Sequence, residues 1–187
     1  MGSFISKFLA DRQVLMYELI PGKLEEQVSS GAIDFGITYL PIPRKDIEFI
    51  KVTTIEMAVY GREESFKNIE FSKLPFVVPI VPLEGVPHKV KGLDGWPDDR
   101  ISRNIQFQVE LMESALELCR QKVAVAYLPK FVVNLHNKQV QKKYLLQELG
   151  FPHKVKSLNQ NVYIVKRKSE RELPAFRKLA AALRRLK

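Results

Sequence analysis

Thr38 and Tyr39 close the run Gly31-Ala32-Ile33-Asp34-Phe35-Gly36-Ile37-Thr38-Tyr39-Leu40-Pro41, in which a glycine turn feeds a short apolar strand. Both hydroxyls can donate and accept a hydrogen bond, and the phenol ring can also stack on a ligand. Near-continuous apolar strands belong to sheets covered on both faces. Ligands of such sheets lie just beyond the carboxyl ends of the strands, where these two residues fall. The chemistry on offer is binding. Successive strand residues face opposite ways, so only one of the two faces a cleft fully.

Catalysis and metal binding find no matching pattern. His88, His136 and His153 lie far apart, and with Cys119 as the single cysteine they give no zinc-ligand spacing. Glu25-Glu26, Glu63-Glu64 and Asp98-Asp99 are adjacent pairs that read as solvated turns, not as converging acid and base. The chain has no G-x-S-x-G elbow and no phosphate-cradling glycine loop. Neither a cofactor nor a metal is expected. Cys119 reads as a small buried hydrophobe.

The elements that must position Thr38 and Tyr39 follow from periodicity. Phe4, Ile5, Phe8 and Leu9 suit a short helix behind Ser3, and Val14 to Ile20 suits a strand broken by Pro21-Gly22. Leu24 to Ser30 suits a helix ended by Gly31. The resulting α-β-α-β order predicts a parallel sheet. Further strands are expected within Ile47–Tyr60 and at Phe76–Val81, Asn104–Val109, Val123–Leu128, Tyr144–Leu149 and Asn161–Val165. Helices are expected at Glu110–Gln121, at Phe131–Leu135 and after Pro174. Pro82 to Ser102 is a long loop in which Trp96, the one tryptophan, serves as an anchor. Two α/β lobes result: residues 1–73 with 162–187, and residues 74–161.

Composition agrees with a globular binding protein. The 187 residues are 45% hydrophobic and 27% charged, with a net charge of +9. No run approaches the roughly 18 apolar residues of a membrane span, and the first residues do not resemble a secretory signal. A cytoplasmic location without membrane association is the expectation. The cations cluster towards the end, at Lys166, Arg167, Lys168, Arg171, Arg177 and beyond, without interleaved aromatic platforms. They read as a solvated helix face, so direct nucleic-acid binding is not expected of this chain.

Three blocks carry a family resemblance. Ser30-Gly31-Ala32-Ile33-Asp34-Phe35-Gly36-Ile37 resembles the sG-x-l-D-l-a-i segment of LysR-type transcriptional regulators. The stretch from Gln108 through Glu110, Leu111 and Met112 to Cys119 is similar to that family's strand-to-helix step. Lys122-Val123-Ala124-Val125-Ala126-Tyr127-Leu128-Pro129 resembles its G-l-G-i-a-l-l-P strand. The blocks occur in the order of the effector-binding domain and span nearly the whole chain.

The resemblance implies a two-lobed fold of the type-2 periplasmic-binding-protein kind, lacking its first strand, with a small-molecule effector between the lobes. It implies a sensing and self-assembling module, as homodimer or homotetramer, that meets DNA only through an N-terminal winged helix-turn-helix absent from these residues. Implied effector contacts are Ser3, standing in for hydroxyl residues of the first helix, with Thr38 and Tyr39 in one lobe and Gln108, Glu110 and Leu111 in the other. Glu110 departs from the small hydroxyl or amide residues usual there. It reads as a helix cap, and it makes a simple carboxylate effector less expected. Lys122 replaces the first glycine of its block and implies a modified turn. Rival readings are a free-standing solute-binding receptor of the same fold, or an enzyme built on it.

Overall fold

Residues 5–6, 10–11, 13–80, 93–151, 158–170 and 174–184 are described by a computed structural model. They divide into two units, Met1–Thr54 with Asn161–Lys187, and Ile55–Gln160. The chain passes between the units inside two strands, β2 (Ile47–Gly61) and β7 (Leu158–Arg167). The first boundary, expected at residue 73, therefore lies at Thr54. Residues 55–73 belong with the second unit because the later half of β2 pairs there and Phe66 packs into its core.

In the first unit, α1 (Lys23–Ser30) is bracketed by Gly22 and Gly31, whose φ values of 91° and 81° suit glycine alone. Its Val28 is buried with Ile47 and Val165. Strand β1 (Phe35–Thr38) runs so close beneath α1 that a Cβ on Gly36 would stand 2.5 Å from Leu24 Cδ1. β1 pairs antiparallel with β7, setting Phe35 opposite Lys166 and Thr38 opposite Tyr163. The expected parallel pairing fails here because the neighbour of β1 is the returning last strand, not the next one along the chain. Val14 to Ile20 forms no strand, and Leu15, Met16 and Tyr17 are 62–69% exposed. Ile5 and Ser6 are helical, while the rest of the expected first helix lies outside the described residues.

The cations of β7 correct a second expectation. Lys166 is buried and pairs with Glu48, and Arg167 donates to Val28 O at 2.7 Å and Ile33 O at 3.0 Å. Arg167 ties the end of α1 to the sheet, and Lys166 is held by Glu48 of β2, instead of both facing solvent. The last helix, which we call α5 (Pro174–Arg184), buries Phe176, Leu179 and Ala180, with Phe176 edge-on to Phe35.

The second unit has strand order β6 (Gln147–Leu149), β2, β5 (Val125–Pro129), β3 (Pro75–Pro79), β4 (Asn104–Val109). β3, β4 and β5 are mutually parallel, and β2 is antiparallel to β5. Alternation along each strand fills two cores. Met57, Val59, Phe76 and Val78 face one way, and Ala58, Tyr60 and Val77 face the other. Among the described residues three helices flank these strands: α2 (Glu63–Phe66), α3 (Met112–Arg120) and α4 (Lys130–Gln139). The short α2 carries no run long enough to show helical periodicity, so the sequence does not announce it.

Within residues 93–103, Trp96 is buried and stacks on Phe71 and Phe151 at 5.9 and 5.8 Å. Its indole N–H donates to Ile101 O at 2.8 Å. Arg103 donates to Asp94 at 2.5 and 3.0 Å and to Asp98 at 3.1 and 3.2 Å, while lying 5.3 Å over the Trp96 ring. Burial alone would lower the pKa of Arg103, but the two carboxylates reverse this and raise it. Asp98, expected in a solvated turn, is thus half of a buried ionic clamp. The remainder of the expected long loop, residues 82–92 with His88, lies outside the described residues, as do Val81 of the expected strand and His153.

Candidate functional site

Thr38 ends β1 with its side chain turned inward, and its hydroxyl oxygen accepts the Leu40 N–H at 3.0 Å. That bond closes a tight turn and leaves the hydroxyl proton free to donate elsewhere. Tyr39, the next residue, is half-buried. The turn is held from below by Glu25, which is fully buried on α1. One carboxylate oxygen accepts the Gly22 N–H at 2.6 Å and the other the Ile42 N–H at 3.1 Å. Glu25 therefore caps its own helix and fixes the exit of β1 in the same stroke. The reading of Glu25-Glu26 as a solvated pair holds for Glu26 alone. The signal was present, since a carboxylate three residues after a helix-capping glycine is the spacing of a capping box.

Gln108, Glu110 and Leu111 meet at the carboxyl end of β4, where the parallel strands of the second unit finish. All three are exposed. Ile80 N–H donates to Val109 O at 3.0 Å, carrying the pairing of β3 and β4 to this end. Glu110 does not cap α3. The N-cap is Leu111, whose carbonyl accepts the N–H groups of Ser114 and Ala115, and no side chain caps the helix. The first-turn acid is Glu113, which pairs with Arg120 at 2.8 Å. Glu110 lies in the bend between the end of β4 at Val109 and the N-cap Leu111, one residue outside the helix. The structure thus gathers Gln108, Glu110 and Leu111 at a strand-to-helix step, and Thr38 and Tyr39 at the exit of β1 into the turn that precedes β2. Ser3 lies outside the described residues.

The turn after α3 keeps the backbone that glycine would favour. Lys122 has φ 64°, the one positive φ among described non-glycine residues. Its ammonium pairs with Glu64 at 2.7 Å, which holds the Glu64 carboxyl below its usual range. Cys119 lies on the inner face of α3, fully buried, and burial pushes its thiol up to about 12. Among the described residues no group of His, Cys, Asp and Glu is arranged to hold a metal.

Comparison with known proteins turns these placements into a classification. A family model described as the LysR substrate binding domain matches residues 4–187. The chain belongs to the LysR substrate-binding domain family. Its fold is the type-2 periplasmic-binding-protein-like fold of that family. It is similar to the reduced OxyR regulatory domain of Pseudomonas aeruginosa, with TM-score 0.71 and 13% identity over 98% of this chain and 88% of that one. The CcmR regulatory domain of Synechocystis PCC6803, solved in complex with 2-PG, gives 0.67 and 11% over 98% and 86%. Full-length CbnR, solved with its target DNA, gives 0.65 and 14% over 98% of this chain but 63% of its own length. This LysR-family chain thus spans less than two thirds of the full-length regulator. At these identities the likeness is one of fold. A comparison with curated protein sequences returns no match.

Proposed function

We propose that the domain senses a small molecule through Thr38 and Tyr39 in its first unit and Gln108, Glu110 and Leu111 in its second. The observation that supports this reading is the family match over residues 4–187, with both residue groups at carboxyl ends of strands. The solved neighbours are transcriptional regulators, and the domain acts by binding, without catalysis. Ligand would favour one arrangement of the domain through a difference in affinity between states. That bias would pass through self-association, as dimer or tetramer, to a DNA-binding domain elsewhere in a cytoplasmic regulator.

The exposed carboxylate of Glu110, left without a capping role, favours a neutral or cationic effector over a simple anion. A thermal-shift screen of neutral, cationic and anionic metabolites tests the reading. A ligand at one hundred times its Kd stabilises by about 2.7 kcal/mol, a Tm rise of roughly 5–11 °C for a chain of this length. Tyr39→Ala and Glu110→Ala should each cut that rise by at least half. Unchanged rises in both variants remove these residues from the site.

A further inference from the structure

Within the first unit, β7 runs on where β1 stops. The last register pair of the two strands sets Thr38 opposite Tyr163, so Asn161 lies beyond the carboxyl end of β1. Opposed residues of an antiparallel pair share a face, and alternation puts Asn161 on the face of Thr38 and Tyr163. We infer that Tyr163, positioned by Asn161 and Thr54, is a further effector-binding residue that donates its phenol proton to a carbonyl oxygen of the bound molecule. This rests on the reading that Thr38 and Tyr39 line the effector site, and it adds to that site a donor and a chemical class of ligand.

A short chain of hydrogen bonds prepares the phenol. Thr54, on the neighbouring strand β2, donates its hydroxyl to Asn161 Oδ1 at 3.2 Å, and Asn161 Nδ2 donates to the Tyr163 phenol oxygen at 3.5 Å. Both bonds run towards Tyr163. Its oxygen is therefore supplied with a donor, while its own proton has no acceptor among the described residues. The ring stands edge-on to Phe49, with centroids 6.3 Å apart, which holds it without using the hydroxyl. Tyr163 and Asn161 are only half-buried, so the phenol stays within reach of a ligand. A held hydroxyl with an uncommitted proton thus stands just past the end of β1, where ligands of such sheets lie. Hydroxyl, carboxamide and phenol are all neutral, which suits the uncharged oxygen of an amide or ketone. Tyr39, next to Thr38, adds an aromatic face for a ring beside that carbonyl.

The test uses benzamide, a ring bearing a carbonyl, and benzylammonium, a ring without an acceptor. Each is titrated against the whole chain by ligand-observed nuclear magnetic resonance. Benzamide should bind saturably, and Tyr163→Phe should weaken it about fivefold, as loss of one neutral hydrogen bond predicts. That variant keeps the ring against Phe49, so its Tm and its behaviour towards benzylammonium should not change. Asn161→Ala should weaken benzamide in the same selective way. Absence of saturable benzamide binding, undiminished binding by Tyr163→Phe, or an equal loss for both probes overturns the inference, and full benzamide binding by Asn161→Ala removes the positioning role. Tyr39→Ala separates the two levels of the argument. If it weakens benzamide and Tyr163→Phe does not, the effector site stands and Tyr163 alone falls; if neither variant matters, both fall.

Discussion

The Glu25 carboxylate accepts the backbone N–H of Ile42, seventeen residues further along the chain, at 3.1 Å. This bond makes the exit of β1 answer to the helix before it, so the orientation of Thr38 and Tyr39 is inherited from α1. Removing the carboxylate strands two backbone donors, and a hydrogen bond to a charged group is worth roughly 1.5–3 kcal/mol. Glu25→Ala should therefore lose about 3 kcal/mol, a fall in Tm of roughly 6–12 °C for a chain of this size. Calorimetry checks it. A fall under about 2 °C would show that the turn is held by other contacts.

Arg103 is the counterpart in the second unit. Its guanidinium side chain is fully buried between Asp94 and Asp98. Breaking a buried ion pair by removing one partner costs about 3–5 kcal/mol, because the other charge stays behind. Arg103→Met should lower the denaturation midpoint accordingly and shift Trp96 emission to the red. Arg103→Lys should recover little, since an ammonium cannot make the paired bonds of the guanidinium. Full recovery by lysine would reduce the clamp to simple charge.

For Cys119, burial that raises the thiol to about 12 leaves almost no thiolate at neutral pH. In the folded protein the thiol should react with Ellman's reagent only as fast as the unit opens, and at the ordinary rate in denaturant. Prompt stoichiometric labelling of the native protein would contradict the burial. Redox sensing through this sulfur is correspondingly not expected.

The left-handed turn at Lys122 makes a prediction of opposite sign. A non-glycine residue in that conformation costs about 1–2 kcal/mol, against at most about 1 kcal/mol from an exposed ion pair such as the one with Glu64. Lys122→Gly should hold or raise the Tm even though it removes that pair. Lys122→Val should lower it, because β-branching resists positive φ. Destabilisation by glycine equal to that by valine would assign the effect to the ion pair.

The sequence carried the fold wherever a segment's local preference agreed with its final neighbours. Asn104–Val109 formed as expected because its alternation matches its edge position beside β3. The helix ending at Gly31 formed because glycine supplied the cap. Val14–Ile20 misled, since a mostly apolar run predicts a strand without saying whether a partner is present. The antiparallel setting of β1 on β7 joins residues over a hundred positions apart, which periodicity does not report. Of the candidate site, the strand ends were legible from apolar runs and turn residues. Glu25, Asp98 and Lys166 were not, because a charge reads as solvated until its buried partner is in view.

Leu15, Met16 and Tyr17 have a consequence for how the protein behaves in the tube. Three neighbouring oily side chains in an unpaired stretch invite copies to stick, while the net charge of +9 pushes them apart. Added salt shortens the reach of that repulsion to about 8 Å at 0.15 M and leaves the stickiness intact. The domain should therefore stay clear longest in dilute buffer and turn cloudy as ionic strength rises.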